Sequence, residues 1–193
     1  MTKSIIIATR NKGKLKEFKS ILKNNYDEIL SLHDFDDIPE IVEDGASFNE
    51  NAYKKAKVIS DYLKTDTIAD DSGIVVEALD GAPGIYSARF AGVDATDEDN
   101  IDKLLSEMKD IDNRKAKFVC SIALVNKNGE HKFFSGECKG IITKEKKGSH
   151  GFGYDPVFYL PEYGKTMAEI SPELKNKISH RSKALQKLIS HLN

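Results

Sequence analysis

Thr67-Ile68-Ala69-Asp70-Asp71-Ser72-Gly73-Ile74-Val75-Val76 decides how the chain is read, because an apolar run ends on two adjacent carboxylates and resumes after Ser72-Gly73. Thr67 to Ala69 reads as the end of a strand, Asp70 to Gly73 as an acidic turn that breaks it, and Ile74 to Val76 as the next apolar segment. Just upstream, Ser47 and Glu50 have capping-box spacing, and Phe48, Ala52, Ala56, Ile59 and Leu63 mark one face of a helix running to about residue 64. Further back, residues 4–8 form a short β-branched strand. After a polar loop from Thr9 to Gly13, Leu15, Phe18, Ile21 and Leu22 recur at helical spacing. Downstream, a Gly/Pro-rich loop spans Asp80 to Gly84. Thr96 and Asp99 then predict the start of a helix over about 97–109 that buries Ile101, Leu104, Leu105 and Met108. Residues 116–126 and 131–142 flank Asn128-Gly129 as an antiparallel hairpin. A glycine-rich loop from Gly148 to Gly153 precedes strand-like Val157-Phe158-Tyr159, and the chain ends in a helix. Parallel strands joined by helices, together with one antiparallel hairpin, predict an α/β fold with a mixed sheet.

The bulk properties narrow the function classes. At 193 residues the chain fits a single domain, 1–193, with room for two lobes. Hydrophobic residues make up 39% and charged residues 31%, enough apolar material to fold. Twenty-nine Lys and Arg against 31 Asp and Glu leave a net charge of −2, so no overall field steers the chain to nucleic acid or anionic lipid, and any phosphate site is local. The apolar run near the N-terminus is too short for a signal segment or a membrane span, which reads as a cytoplasmic protein without a membrane partner. Cys120 and Cys138 lie on the two hairpin arms, where a bridge is geometrically conceivable; in a reducing compartment they read as free buried thiols. The five histidines are scattered and no CxxC occurs, so a zinc site is not expected.

Three segments carry candidate chemistry. Thr9-Arg10-Asn11-Lys12-Gly13-Lys14 joins a strand to a helix and can offer backbone N–H groups, a positive helix end and two lysines to an anion, although it lacks the Walker A pattern and also reads as a solvated turn. Asp70-Asp71 are adjacent carboxylates that repel unless something positive sits between them. A divalent cation such as Mg²⁺, which takes a few carboxylate oxygens plus water and phosphate, meets that need; a plain Asp-rich turn is the alternative. Glu43-Asp44-Gly45 can add a second metal ligand. Asn51 and Lys55 share a face of the following helix, where Lys55 otherwise belongs to a solvated basic face with Lys54 and Lys57. Finally, Gly148 to Pro156 can stack a base on Phe152, or can bury Phe152 and Tyr154 as core anchors.

The C-terminal segment adds a constraint. One straight helix over 173–192 would put Arg181 inside the stripe of Leu174, Ile178, Leu185, Leu188 and Leu192, where an unpaired guanidinium is untenable. Either Arg181 has a buried anionic or ligand partner, or the helix restarts at Ser179. The restart is the preferred reading, preceded by a short turn opened by Ser171-Pro172-Glu173.

Taken together, Ala8 to Lys14, Phe48 to Ala56, Ala69 to Gly73, Gly81 to Arg89, Gly151 to Pro156 and Ile178 to Arg181 resemble the inosine triphosphate pyrophosphatase family in order and over nearly the whole chain, with Arg10 standing where the family usually carries a small residue. The resemblance implies an elongated two-lobed fold around a central mixed sheet with helices on both sides, an active-site cleft between the lobes, and a homodimer. It also implies Mg²⁺-dependent hydrolysis of ITP, dITP and XTP to the monophosphate and pyrophosphate. By motif, Thr9, Arg10, Asn11, Lys12, Gly13, Lys14, Lys55 and Ser72 would hold the triphosphate. Glu43 and Asp71 would bind Mg²⁺, with Asp71 also the base, supported by Asp70 and Lys55. Phe152, Gly153, Tyr154, Asp155, Lys175, His180 and Arg181 would form the purine site. A purine-nucleotide-binding regulator without catalysis is the principal rival. A phosphatase with an aspartate nucleophile wants Asp-x-Asp rather than adjacent aspartates, and a nucleic-acid-binding module fits least, for want of a basic stripe.

Overall fold

A computed structural model describes residues 3–192. The elements in chain order are β1 (Ser4–Ile7), α1 (Lys12–Leu22), β2 (Glu28–Ser31), α2 (Phe48–Leu63), β3 (Thr67–Val76), α3 (Asp97–Glu107), β4 (Lys115–Val125), β5 (His131–Ile142), β6 (Phe158–Leu160), β7 (Lys165–Thr166), α4 (Pro172–Ile178) and α5 (His180–Leu192). The strands form one sheet in the order β2-β1-β3-β4-β5-β6-β7. β1 runs parallel to β2 and β3, whereas β6 is antiparallel to β5 and β7. β4 and β5 are neighbours joined through a tight turn at Asn126 to Glu130, a connection short enough only for an antiparallel pair. The sheet is therefore mixed, as expected. No helix among the described residues is long and apolar enough to cross a membrane.

Packing divides the chain into two compact units. The first comprises Met1–Asp71, Cys120–Gly136 and Arg181–Asn193. Its strand β1 is buried on both faces. Ile5 and Ile7 meet Phe18 and Leu22 of α1 and Leu185 and Leu188 of α5; Ile6 and Ala8 meet Ala52, Ala56 and Ile59 of α2. Alternate side chains of a strand point to opposite faces, so an unbroken Ile-Ile-Ile run is what a strand covered by helices on both sides requires. The second unit, Ser72–Val119 and Glu137–His180, buries Ile74, Val76, Ile101, Leu104, Met108, Phe118, Phe158 and Met167 in its own core.

Two expectations are corrected. The segment Thr9 to Gly13 is not wholly loop, because α1 begins at Lys12. Asn11 is its N-cap, with its side chain accepting from Lys14 N at 3.0 Å, and places Gly13 in the first turn rather than in the helix interior, where glycine is costly. Nor does Asp70 to Gly73 break the chain: β3 runs continuously through it. The two aspartates stay in a buried strand because each has polar or cationic partners there. Gly73 is required because a Cβ at that position would overlap the Gly84 carbonyl and Ser87 Oγ, whose hydroxyl accepts from Ile74 N at 2.9 Å.

Other boundaries agree with the pattern. Ser47 caps α2, accepting from Glu50 N at 3.2 Å, while the Glu50 carboxylate accepts from Ala46 N rather than closing a full box. Thr96 and Asp99 do form the reciprocal capping box of α3. At the C-terminus the chain leaves α4 at Ser179, which is extended (φ −66°, ψ 158°), and restarts as α5 at His180. The restart is observed, and so is a buried anionic partner for Arg181: the two alternatives hold together.

Candidate active site

Asp70 and Asp71 are consecutive on β3 and therefore project to opposite faces of the strand. One cation between them is not the arrangement found, since each carboxylate has its own surroundings. Asp70, 2% exposed, accepts from Lys14 Nζ at 3.0 Å, from Arg181 Nε at 3.4 Å and from the Cys120 thiol at 3.9 Å. Asp71 accepts from Asn51 Nδ2 at 3.0 Å and lies 3.9 Å from Lys55 Nζ.

These surroundings drive the two acids apart. Burial works to raise Asp70, but Lys14, Arg181 and Lys55 outweigh it and hold the carboxyl below the ordinary carboxylate range. For Asp71 burial prevails over the opposing pull of Lys55, Asn51 and Lys14, and its pKa is raised. Asp70 is thus a fixed anion, and Asp71 is the more proton-avid of the pair. Arg181 is penalised by burial, yet Glu17 and Asp70 keep its guanidinium firmly charged; Nη1 donates to Glu17. Burial pushes the Cys120 thiol up, with Asp70 adding to it, so it remains a protonated donor.

Lys55 does not belong to the solvated basic face. It is 8% exposed, whereas its neighbours Lys54 and Lys57 reach outward to Asp44 and Asp61. Its ammonium sits 2.7 Å from Glu43 Oε2 and 3.9 Å from Asp71 Oδ1. Burial alone would lower Lys55, but Glu43, Asp71 and Asp70 raise it. Glu43 and Asp71, 28 residues apart in sequence, therefore converge on one cationic position. Two carboxylates around an ammonium fit a hard cation that takes its remaining ligands from water and phosphate. Among the described residues no group of three or more His, Cys, Asp or Glu side chains is placed to hold a metal ion. Asn51, fully buried, fixes the arrangement by accepting from Gly45 N at 2.8 Å while donating to Asp71.

Beside Asp70 is the start of α1. Arg10, Asn11 and Lys12 are exposed, Thr9 Oγ1 accepts from Asn11 N at 3.2 Å, and Lys14 turns inward to Asp70. The first unit thus brings together Thr9 to Lys14, Glu43, Lys55, Asp70, Asp71 and Arg181.

The second unit holds Ser72, Phe152 to Asp155, Lys175 and His180. Asp155, 3% exposed, accepts from Lys175 Nζ at 2.6 Å and from Phe152 N at 3.0 Å. The same ammonium lies 4.6 Å from the centroid of the Phe152 ring, within cation–π range. Gly153 N donates to Asp97 at 2.7 Å. Tyr154 is a core residue, with its hydroxyl donating to the Ser87 carbonyl at 2.8 Å. The His180 ring stacks on Phe118. Three residues in contact with these side chains have no place in the sequence reading of the site: Glu17, Cys120 and Phe118. Glu17 shares a face of α1 with Lys14 at i, i+3, the one signal that could have found it.

A buried carboxylate pair held in opposite ionisation tendencies, a lysine shared by two acids and a capped helix start thus lie together in the first unit of an α/β fold. The family model described as the Ham1 family matches residues 5–191, and the chain belongs to that family. It is 50% identical over 190 residues to the dITP/XTP pyrophosphatase of Geobacter sulfurreducens, covering 97% of this chain and 96% of the relative. It is 48% identical over 186 residues to the dITP/XTP pyrophosphatase of Shouchella clausii, with 95% and 93% covered. Among solved structures, the Ham1 protein of Staphylococcus aureus superposes with a TM-score of 0.88 at 42% identity, and that of Coxiella burnetii with 0.90 at 39%, each covering 98% of both chains.

Proposed function

We propose that this chain hydrolyses non-standard purine nucleoside triphosphates, ITP, dITP and XTP, to the monophosphate and pyrophosphate, and so cleanses the nucleotide pool. The observation that carries the reading is the convergence of Glu43 and Asp71 around Lys55, with Asp71 the more basic of two adjacent aspartates. The names carried by relatives at about half identity over nearly the full chain support the substrate class.

In this reading Glu43 and Asp71 would hold Mg²⁺, which would supply neutralisation of phosphate charge and a lowered pKa for water. Thr9 to Lys14, Lys55 and Ser72 hold the triphosphate. Asp71 takes the proton of the attacking water as the water oxygen bonds to phosphorus, and the P–O bond to the departing phosphate oxygen breaks in line. Asp70, kept ionised by Lys14 and Arg181, supports that strand from its other face. Phe152 stacks on the purine, with Gly153, Asp155, Lys175 and His180 framing its edge. Tyr154 acts from the core by anchoring the loop, and Arg181 acts through Asp70 and Glu17. A donor aimed at the purine 6-oxo group meets another donor when the base is adenine, which costs about 1–3 kcal/mol per unpaired group. The enzyme works as a cytoplasmic homodimer.

The test is incubation with ITP, XTP, ATP and GTP plus Mg²⁺, with pyrophosphate and phosphate assayed separately. The expected result is pyrophosphate from ITP and XTP well ahead of ATP and GTP. Equal turnover of all four, or phosphate as the product, would reject the reading. A nucleotide-binding regulator would instead bind ITP without turnover and be indifferent to Asp71→Asn.

A further inference from the structure

Phe118 lies on β4 and is 6% exposed, with its ring against two others of the second unit. The Phe158 ring, fully buried, has its centroid 4.2 Å away at an interplanar angle of 38°. The His180 imidazole lies 4.8 Å away and only 18° from parallel. Phe118 is thus held in the core by a buried ring and stacks nearly flat with the histidine.

The ring torsion of a histidine is broad and has no sharp intrinsic preference, so the plane of an imidazole is set by what it packs against. Both ring nitrogens lie in that plane, and a hydrogen bond weakens steeply when donor and acceptor are misaligned. The His180 backbone is also constrained, because it opens α5 directly after extended Ser179. What remains to be specified is the tilt of the ring, and Phe118 supplies the surface that specifies it. Lys175 is placed in a similar way, over the face of Phe152.

We propose that Phe118 is a specificity-determining positioning residue, which by stacking on His180 fixes the edge this histidine offers to the purine and so sets discrimination between 6-oxo and 6-amino bases. The inference rests on the nucleotide reading given above. Phe118 touches no substrate; a tilted imidazole would lose the aligned hydrogen bond that favours the 6-oxo base.

The test replaces the ring without removing its bulk, in Phe118→Met and Phe118→Leu, and keeps it in Phe118→Tyr. With Mg²⁺ present, kcat/KM for ITP is expected to fall roughly three- to tenfold in the ringless variants, mainly through KM, while ATP turnover stays level and the ITP:ATP ratio narrows. Phe118→Tyr should retain the ratio. In a His180→Ala background, Phe118→Met should have no further effect on it. The His180 ring protons, shifted upfield by the aromatic face in the NMR spectrum of the parent, should move downfield in Phe118→Met. A ratio unchanged in both ringless variants, an undiminished effect in His180→Ala, or His180 protons that do not move would each overturn the proposal. A parent enzyme that shows no preference for ITP over ATP would instead reject the underlying nucleotide reading.

Discussion

The carboxamide of Asn51 donates to Asp71 Oδ2 at 3.0 Å from a position with no solvent exposure, and its oxygen accepts from Gly45 N at 2.8 Å. One side chain on α2 therefore links the strand carrying the proposed base to the segment carrying the proposed second ligand, Glu43. Asn51→Ala would leave the Gly45 N–H without its acceptor and empty the space between the segments. The expected loss of stability is about 2 kcal/mol by urea unfolding. The expected loss of kcat is at least tenfold, since Asp71 and Glu43 would no longer be held in register. Asn51→Asp should retain more of the stability contributed by Gly45 but lose as much activity, because it places a second carboxylate against Asp71.

Asp70 and Asp71 should respond to pH in opposite directions in metal-free protein. The folded pKa of Asp70 lies below its unfolded value of about 3.9, so its stabilising contribution is present above that pH and is lost as pH falls below it. The folded pKa of Asp71 is raised, so its contribution is fully present below the unfolded value and is lost as pH rises through the folded one. In EDTA at pH 7, Asp70→Asn should therefore destabilise the protein and flatten its acid-unfolding limb, leaving Lys14 and Arg181 short of a counter-charge. Asp71→Asn should raise the urea midpoint while abolishing turnover. Equal shifts in the same direction would contradict the divided role of the pair.

The divided pair also shows where sequence reasoning ended. Asp-Asp-Ser-Gly has the composition of a turn, and local propensity allowed no other reading. What keeps it in a strand comes from Lys14, Asn51, Lys55 and Arg181, all distant in the chain. The regular elements were legible, because α2 displays its buried face as spacing and β1 its burial on both faces as an unbroken apolar run. The restart at Ser179 was legible for the same reason: an arginine inside an apolar stripe is a conflict that a helix break resolves. Its partners were not, since nothing in the spacing joins Arg181 to Glu17 or Asp70. The order of motifs pointed to the family, whereas the burial of Lys55 among acids required coordinates.

Gly151 is the position where a side chain would bear directly on the Asp155–Lys175 pair of the proposed base site. Its φ is +83°, and a Cβ there would overlap Asp155 Oδ2 and come within 3.2 Å of Lys175 Nζ. Gly151→Ala should displace the Asp155–Lys175 pair and raise KM for ITP about tenfold or more, with a smaller change in kcat. The stability cost should be about 1–2 kcal/mol, from the left-handed backbone and the clash. The same substitution at Gly129, which also has positive φ (+89°) but has no heavy atom near its missing Cβ, should cost comparable backbone strain and leave KM unchanged.

Lys55 gives the most direct test of whether Glu43 and Asp71 reach the same ion. In the structure its ammonium satisfies both acids, at 2.7 and 3.9 Å. Removing it in Lys55→Met should leave two facing carboxylates with less positive charge between them, so the melting temperature in EDTA should fall. Because the two acids would then have more to gain from a divalent cation, the rise in melting temperature on adding Mg²⁺ should be larger in Lys55→Met than in the parent, even as turnover drops. The added Glu43→Gln change should abolish that extra rise, because one carboxylate alone holds Mg²⁺ weakly. If Lys55→Met responds to Mg²⁺ no more than the parent does, the two acids do not share a cation, and the assignment of Glu43 as a ligand is wrong.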